Sequence, residues 1–529
     1  MNRRGFTHTL AALGGLGLAG GAAARPPGGR FAHAEVGVAA LQAALTTGRL
    51  SAQALARAYL GRIHALDRRG PAIRAVIELN PDALAIAAAL DNERRTRGAR
   101  GPLHGVPVLL KDNIATGDRM ATSAGSLALD GVRATRDAHL VARLREAGAV
   151  VLGKTNLSEW ANIRSPRSTS GWSARGGLTR NPYALDRNAS GSSSGSAAAI
   201  AANFAAVAVG TETDGSIVSP ASVNGLVGLK PTVGLVSRDG IVPISHTQDT
   251  AGPMARTVAD AAALLTVLAG PDARDPATAH APATARGLDY TRLLDTKRLA
   301  GARLGVVRGA FGAHPGVNAL IEQSLAVLKA QGAVLVDPVE IAHADAVADA
   351  EFEVLLFELK AGLRRWLADF APGAPIASLA DLIAWNERHR AQEMPWFGQE
   401  YLEQAEARGE LSDPAYLAAL DTCRRLGRTE GLEATLAEHR LDALVAPTGG
   451  PAWTTDLVNG DHFGASFSSP AAIAGTPHLT VPAGFVHGLP VGLSFVGPAW
   501  SEALLIGLGH AFEQATQARR PPGFGAHRP

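Results

Sequence analysis

Apolar residues recur with two different periods along this chain. From Val36 to about Leu66 they recur at helical spacing, and Ser51 is placed to cap the second helix of that stretch. Short apolar runs and helical stretches then alternate. The pattern predicts strands at 75–79, 106–110, 150–153 and 208–209. It predicts helices at 81–98, 138–146 and 197–206. This alternation favours a β-sheet covered by helices.

The middle of the chain has a different pattern. From about residue 272 to residue 440 long helical patterns dominate, for example at 319–330 and 348–369, before turn-rich sequence returns at 444–448. No repeat of fixed period and no clear linker divides the chain. We therefore predict one large α/β domain over residues 36–520, in which a helical insert at about 272–440 lies between two sheet-forming halves.

The N-terminal residues resemble an export signal. Arg3 and Arg4 precede a short run of glycine, alanine and leucine that ends in small residues. These features resemble a twin-arginine signal peptide, and the alternative is a basic start without a targeting function. This interpretation assigns 1–24 to the signal, 25–35 to a linker and 521–529 to a tail, and it predicts a periplasmic or secreted mature protein. No later run of about 18 or more apolar residues predicts a membrane span.

Composition narrows the classes of function. The chain has 529 residues, of which 46% are apolar and 19% charged, so a sizeable core is expected and disorder is not. A net charge of +2 gives no argument for a nucleic-acid partner. The single cysteine, Cys423, excludes an intramolecular disulfide and a cysteine-rich zinc site. Three of the six lysines, Lys111, Lys154 and Lys230, fall in the region that is densest in motifs.

Two serine-rich segments contain the candidate nucleophiles. Ser190–Ser196 reads Ser-Gly-Ser-Ser-Ser-Gly-Ser and leads directly into the small-residue helix predicted at 197–206. A flexible linker is the alternative, but a linker does not continue into a buried helix. Ser216 ends the second segment, Gly210–Ser216, which follows a predicted strand. A serine in a glycine turn is often only a turn residue, yet such a turn can also expose a hydroxyl among converging N–H groups.

A serine nucleophile needs a base. His104 and His246 lie nearest the motifs, but neither comes with an evident carboxylate partner. Lys111 follows the apolar run 106–110, so burial is expected, and burial can lower a lysine pKa of about 10.4 by about 3–5 units. Asp112 would oppose that shift, although adjacent side chains on an extended backbone point to opposite faces. The alternative for Lys111 is an ordinary charged residue at the end of a surface strand.

Together these segments resemble the amidase signature family, most closely its bacterial peptide amidases. The resemblance implies that Lys111 is the catalytic lysine, that Ser216 is the nucleophile, and that Ser192 bridges them after a cis peptide bond. It implies that Ser193 is a supporting residue, because the alternative register, with Ser193 as the bridge, breaks the alignment of the helix that follows. It also implies the family's fold, a central twisted mixed β-sheet covered by helices.

The resemblance further implies an oxyanion hole made by the backbone. Its donors would be four consecutive N–H groups, those of Thr213, Asp214, Gly215 and Ser216. Two flanking glycines of the family's first serine segment are Ser190 and Ser194 here. Three more positions depart from the usual pattern near Ser216: Glu212 stands in place of aspartate, Asp214 in place of glycine and Val218 in place of arginine. This combination is the one that resembles peptide amidases, and it requires the Asp214 side chain to point away from the oxyanion.

The function implied is hydrolysis of a carboxamide C–N bond with release of ammonia, and the favoured substrates are C-terminal amides of peptides. Asn156, Trp160 and Asn162 are candidates to line the cleft. The resemblance implies no metal, no cofactor and no obligatory protein partner. Three alternatives remain open: an amidase for small aromatic or aliphatic amides, the glutaminase subunit of a tRNA-dependent amidotransferase, and a non-catalytic exported binding protein.

Overall fold

The computed structural model describes residues 31–526, and the compact unit considered below begins at Glu35. The predicted signal peptide, 1–24, therefore lies outside the described residues, as do most of the predicted linker and the last three residues of the predicted tail. Within the described range, no helix has both the length and the hydropathy that crossing a membrane requires.

The strands are numbered here in chain order. They are β1 (Val76–Leu79), β2 (Pro107–Lys111), β3 (Val150–Thr155), β4 (Trp172–Ser173), β5 (Gly177–Leu178), β6 (Arg180–Asn181), β7 (Ala184–Asn188), β8 (Val207–Glu212), β9 (Val227–Lys230), β10 (Thr250–Ala255), β11 (Arg303–Val306), β12 (Val334–Val336), β13 (Ala443–Pro447), β14 (His478–Val486) and β15 (Leu489–Val496).

Eleven of these strands form one mixed sheet in the order β1-β3-β2-β8-β10-β9-β14-β15-β13-β11-β12. Strands β3, β2 and β8 run parallel to one another, as do β13, β11 and β12, and the remaining neighbours are antiparallel. Every residue of β2, β8, β9 and β10 is buried, as expected of central strands covered on both faces.

The helices are numbered in the same way. They are α1 (Val38–Thr46), α2 (Ala52–Leu66), α3 (Ala83–Arg97), α4 (His139–Glu146), α5 (Ser194–Ala201), α6 (Val218–Val223), α7 (Val258–Leu268), α8 (Pro315–Ala330), α9 (Ala348–Phe370), α10 (Leu379–Arg388), α11 (Arg390–Glu393), α12 (Glu400–Glu406), α13 (Pro414–Thr422), α14 (Ala434–Glu438), α15 (Ser469–Ala474) and α16 (Glu502–Thr516). A π-helix, Cys423–Glu433, joins α13 to α14.

Helices pack on the sheet, for example α5 on β8, α7 on β10 and α16 on β14, so the predicted fold class is confirmed. The predicted cap is also present, since Ser51 Oγ accepts the N–H of Ala54 at 3.1 Å. Helix α5 begins three residues earlier than predicted and ends five residues earlier. Gly195 allows this early start, because a Cβ there would lie 2.3 Å from the Ala75 carbonyl oxygen.

The segment predicted as a helical insert, about 272–440, is mostly helical but also contains two strands. Strands β11 and β12 lie within it and form one edge of the sheet, with β11 pairing in parallel with β13. The helical patterns at 319–330 and 348–369 correspond to α8 and α9. The two strands are only three or four residues long, which is too short for a periodic signal to separate them from the surrounding helices.

Strand order explains where a site can form. Strands β2 and β8 are parallel neighbours, and the Leu110–Val209 pair in their register places Lys111 beside the end of β8. The carboxyl ends of parallel strands lie at the same edge of a sheet, and ligands bind in the crevice outside those ends. The two motif-bearing strands therefore bring their terminal residues together although about 100 residues separate them in sequence.

Candidate active site

Lys111 ends β2 and is fully buried, as predicted. Its Nζ lies 2.7 Å from Ser192 Oγ, 2.9 Å from Thr211 Oγ1 and 3.1 Å from the Thr211 carbonyl oxygen. Burial lowers the pKa of the amine from 10.5 to about 7, although the negative charges of Asp249 and Glu212 act in the opposite direction. In a large fraction of the protein molecules the Lys111 amine is therefore uncharged near neutral pH.

The three contacts of Lys111 suit an uncharged amine. A neutral amine has two N–H donors and one lone pair, and Thr211 offers two acceptors, its carbonyl and its hydroxyl oxygen. The lone pair is then free to accept the Ser192 proton. Asn113 Nδ2 donates to Thr211 Oγ1 at 2.9 Å and so fixes the hydroxyl. Thr211 was not predicted from the sequence, because the β2–β8 pairing that brings it to Lys111 joins segments about 100 residues apart.

The segment that contains Ser192 is held closely against Ser158. The Gly191–Ser192 peptide bond is cis, as the resemblance implies. The Ser192 carbonyl accepts the Ser158 N–H at 3.1 Å. A Cβ on Gly191 would lie 2.2 Å from Ser158 Oγ, so only glycine fits this approach.

Ser193 joins three parts of the site, consistent with the supporting role predicted for it. Its N–H donates to the Ser216 carbonyl at 3.1 Å. Its hydroxyl donates to the Thr211 carbonyl at 3.0 Å and accepts the Thr211 N–H at 3.2 Å. The N-terminus of α5, the end of β8 and the turn that follows β8 are therefore fixed to one another.

Ser216 lies in the turn after β8. Ser192 and Ser216 line the same space, here called the central cavity, which has a volume of about 300 Å³. Other residues of its lining include Asn162, Ile163 and Phe463. Within residues 31–526 the Ser216 hydroxyl has no hydrogen-bond partner. The structure therefore shows a direct Lys111–Ser192 hydrogen bond, whereas Ser216 lines the same cavity as Ser192 without a hydrogen bond to it.

The backbone around Ser216 presents unpaired donors to this cavity. The N–H groups of residues 213–216 donate no hydrogen bond to any residue that the structure describes, and all four residues line the central cavity. Gly215 has a φ of +77°, and a Cβ there would lie 2.9 Å from Ser468 Oγ. Four adjacent free donors are suited to bind an oxyanion that develops beside Ser216.

Two buried carboxylates fix the turn. Glu212 Oε2 accepts the N–H groups of Ile217 at 2.6 Å and Val218 at 3.0 Å. Burial raises the pKa of Glu212, and the charge of Lys230 opposes that rise. On the other side of the turn, the Thr213 hydroxyl donates to Asp249 Oδ1 at 2.6 Å. From the sequence, Glu212 was only a departure from the family pattern. Its hydrogen bonds with Ile217 and Val218 show that it caps the start of α6.

Asp214 points its carboxylate at the segment around Ser469. Its Oδ2 accepts the Ser469 hydroxyl proton at 2.6 Å, and burial raises the pKa of this carboxyl group. The side chain is therefore engaged by Ser469, while the Asp214 backbone N–H remains without a partner in the described structure.

The three predicted cleft residues have different positions. Asn162 lines the central cavity, whereas Trp160 is buried and does not line it, although Ala161 does. Asn156 also lies outside the lining, and its amide is saturated by contacts that include Ser173 Oγ at 2.6 Å and the Gly177 carbonyl at 2.9 Å. Its position gives the predicted substrate-binding role of Asn156 no support.

The histidines considered in the sequence do not contact either serine. His104 is buried, and its Nε2 lies 3.0 Å from the Leu90 carbonyl oxygen. His246 does have a carboxylate partner that the sequence did not reveal, since its Nδ1 lies 3.4 Å from Glu358. Neither imidazole lines the central cavity, and the amine that contacts Ser192 is that of Lys111.

The sheet therefore brings together a buried amine, two serine hydroxyls and four free backbone N–H groups around one cavity. A family model described as Amidase matches residues 54–506 of the chain. The chain belongs to the amidase signature family, and its reaction class is hydrolysis of amide C–N bonds.

Individual relatives agree with this assignment. The X-ray structure of native peptide amidase from Stenotrophomonas maltophilia is 58% identical, covers 94% of this chain and 100% of its own, and superimposes with a TM-score of 0.90. An Arabidopsis thaliana protein named a probable amidase is 43% identical over 502 residues, 93% of this chain and 92% of its own. One subunit of the glutamyl-tRNA(Gln) amidotransferase from Chloroflexus aurantiacus is 36% identical over 502 residues, 91% of this chain and 96% of its own.

Proposed function

We propose that this protein removes the C-terminal amide of peptides, with Ser216 as the nucleophile, Ser192 as the relay and Lys111 as the base. The observation that carries the proposal is the fully buried Lys111 amine, with a pKa of about 7, placed 2.7 Å from Ser192 Oγ. An amine of that pKa can accept a proton near neutral pH, which an exposed lysine does not do.

The reaction proceeds through an ester on Ser216. Lys111 takes the Ser192 proton while Ser192 takes the Ser216 proton, and Ser216 Oγ attacks the carboxamide carbon. The N–H groups of residues 213–216 donate to the oxyanion. The relay returns the proton to the amide nitrogen, the C–N bond breaks and ammonia leaves. Water then attacks the ester by the same relay, which releases the carboxylic acid and restores Ser216.

Similarity supports the peptide amide as the substrate. The solved structure that is 58% identical is a peptide amidase, whereas the amidotransferase chain is 36% identical. The central cavity also combines hydroxyl groups with apolar side chains such as Ile163 and Phe463, a lining suited to a peptide terminus.

Ammonia release from the purified chain tests the substrate. We expect turnover of C-terminally amidated peptides by the chain alone, faster than turnover of benzamide or free glutamine. Faster release from benzamide would assign the protein to small aromatic amides. Release from glutamine that requires an added partner chain would assign it to the amidotransferases.

Covalent labelling tests the nucleophile. A fluorophosphonate should label the native protein, and Ser216→Ala should abolish labelling and lower kcat by at least about 10⁴-fold. Circular dichroism and thermal unfolding of the variant show whether the fold is intact. A folded Ser216→Ala protein with near-native activity would remove Ser216 from the mechanism, and an unlabelled, inactive native protein would support the non-catalytic alternative.

We also propose that residues 1–24 direct export through a twin-arginine route to the periplasm or the exterior. The support is the Arg3–Arg4 pair followed by a short apolar core. Cell fractionation of the full chain should place its activity outside the cytoplasm, and replacing both Arg3 and Arg4 with lysine should retain it inside. An unchanged distribution for that variant would reject the proposal.

A further inference from the structure

A second cavity adjoins the central cavity. It has a volume of about 510 Å³, and Ser466 and Ser469 line both spaces. We call it the acidic cavity. Its lining includes apolar and acidic side chains, namely Val307, Leu426, Phe467, Ile473, Glu340 and Asp345.

The chemistry of a primary amide determines where the rest of a peptide must lie. Only ammonia leaves, so every other atom of the substrate lies on the acyl side of the carbon that Ser216 attacks. The central cavity, at about 300 Å³, is at the lower end of the range for small-ligand pockets. A peptide of more than a few residues must therefore extend beyond it.

The acidic cavity shares two lining residues with the central cavity and has room for a peptide. At Ser219 and Phe463 the central cavity meets a space of about 10 Å³, barely enough for one water molecule. A larger cavity of about 700 Å³ lies beyond that space, but it shares no lining residue with the central cavity. At Ser466 and Ser469, by contrast, the central cavity borders a space of about 510 Å³.

The lining of the acidic cavity favours a cationic ligand. Glu340 and Asp345 are exposed, and neither forms an ion pair or hydrogen bond with another residue in the described range. No lysine, arginine or histidine is among the residues that line the cavity. Val307, Leu426 and Ile473 supply apolar contacts nearby. An α-ammonium group and a basic side chain share the chemistry that two unpaired carboxylates would attract.

We propose that the acidic cavity binds the upstream part of peptide amide substrates, with an apolar side chain against Leu426 and Ile473 and a cationic group at Glu340 and Asp345. This inference rests on the proposed function, because it assigns the acyl side of the same substrate. It makes the protein selective for peptide amides of a minimum length.

The first experiment is a series of substrates at neutral pH. Alanine-based peptide amides of one to five residues are prepared with free and with acetylated N-termini, and kcat/KM is measured for each. We expect kcat/KM to rise at the length that reaches the acidic cavity. At that length, acetylation of the N-terminus should lower kcat/KM about fivefold, because an exposed ion pair contributes up to about 1 kcal/mol. The difference should shrink at high salt.

A third set of substrates identifies the source of the cation. It consists of acetylated peptide amides with a lysine at the upstream position. Recovery of kcat/KM by the lysine shows that a basic side chain serves as well as the terminus. Failure to recover shows that the cavity selects the α-ammonium group, and either result agrees with a cation site.

Variants connect the effect to the cavity. The double variant Glu340→Gln and Asp345→Asn should make free and acetylated peptides equivalent. Ala344→Trp, which places an indole at the lining, should raise KM for long peptide amides relative to alaninamide. The matched control is Glu438→Gln, which removes one exposed carboxylate outside the cavity and should leave the ratio of free to acetylated substrates as in the native protein.

The outcomes separate this inference from the proposed function. If peptide amides are hydrolysed but length, acetylation and the double variant have no effect, the acidic cavity is not a subsite, and the assignment of Ser216 and Lys111 stands. If no peptide amide is hydrolysed, both the inference and the peptide substrate are rejected. If Glu438→Gln changes the ratio of kcat/KM for free and acetylated peptides as much as the double variant does, the effect is caused by the net charge of the protein, and the inference is again rejected.

Discussion

At the scale of single residues, surroundings decide what each buried lysine does. The Lys111 amine faces two hydroxyl oxygens, and hydroxyls can donate as well as accept. The Lys154 amine contacts the carbonyl oxygens of Ile114 at 2.7 Å and Ala121 at 3.0 Å and the Thr122 hydroxyl at 3.0 Å, and it also lies 3.9 Å from the Asp112 carboxylate. Asp112 favours the charged form of Lys154 and so a structural role, whereas Lys111 has no carboxylate at ion-pair distance within residues 31–526 and is suited to proton transfer.

The pH dependence of activity tests the state of Lys111. The base must be uncharged, and the folded-state pKa of its amine is about 7. We expect kcat/KM for a short amide to rise about tenfold per pH unit below that pKa and to level off above it. Measurement from pH 5 to pH 9 checks this. Lys111→Arg should be inactive throughout, because arginine stays protonated, and a flat profile for the native protein would contradict the assignment.

Thr211 provides a second test at this scale. Thr211→Val keeps the carbonyl acceptor but removes the hydroxyl that accepts from Lys111 at 2.9 Å. The ammonium form loses more from this than the neutral amine, so the pKa of Lys111 falls and the acid limb of kcat/KM moves to lower pH. We also expect kcat to fall about tenfold, because the amine is less well oriented. Thr211→Ser keeps a hydroxyl and should retain the native profile.

At the scale of elements, the turn between β8 and α6 must keep four backbone N–H groups free and still hold a fixed conformation. Its four N–H groups remain free because its ends are held elsewhere, by Glu212 on the α6 side and by Asp249 through Thr213. Burial raises the pKa of Asp249 to about 6, while hydrogen bonds from Thr213 and from two backbone N–H groups favour its ionised form. The turn therefore depends on two carboxylates that are not among the residues lining the central cavity.

Substitution of Glu212 tests this dependence. Glu212→Ala leaves the N–H groups of Ile217 and Val218 without their acceptor, and each buried unpaired donor costs about 1–3 kcal/mol. We expect lower stability to urea and a fall in kcat of about 100-fold, because the nucleophile is displaced. Glu212→Gln keeps an oxygen acceptor and should recover most of both. Equal losses in the two variants would show that charge, rather than the acceptor, is what the turn requires.

At the scale of the whole molecule, one buried arginine connects the site to the insert. Arg164 is fully buried, pairs with Glu159, and lies 3.7 Å from Glu393 in α11. Its Nη2 donates to the Phe397 carbonyl at 3.1 Å. Residues 161–163, which line the central cavity, lie between Glu159 and Arg164, so the cavity wall is tied to a segment more than 200 residues away.

Removing this arginine should destabilise the protein. Arg164→Met leaves two buried carboxyl groups without their cation, and breaking a buried ion pair costs about 3–5 kcal/mol. Urea unfolding measures the loss, and Arg388→Met, at an exposed position, is the matched control. Adding Glu159→Gln and Glu393→Gln to Arg164→Met should restore part of the stability, because no uncompensated charge remains. Failure of this recovery would mean that the guanidinium acts mainly through packing on Phe397 and Trp172.

Local signals in the sequence predicted several features well. Apolar periodicity located α2 and its Ser51 cap, because a helix end depends on neighbouring residues. An apolar run before Lys111 predicted burial of that lysine. The same signals failed for β11 and β12, whose place at the sheet edge depends on pairing with the distant β13. No local signal shows that the Asn156 amide is occupied by Ser173 and Gly177.

The sequence by itself determined which groups are available: a lysine after an apolar strand, serines in two glycine-rich segments, and a reaction class. Only the tertiary structure decided which groups meet. The parallel pairing of β2 with β8 puts Thr211 beside Lys111, and the path of the chain places Ser466 and Ser469 in the lining of two cavities. The physical reason is that burial and periodicity act over a few residues, whereas strand order and cavity shape depend on contacts between segments hundreds of residues apart.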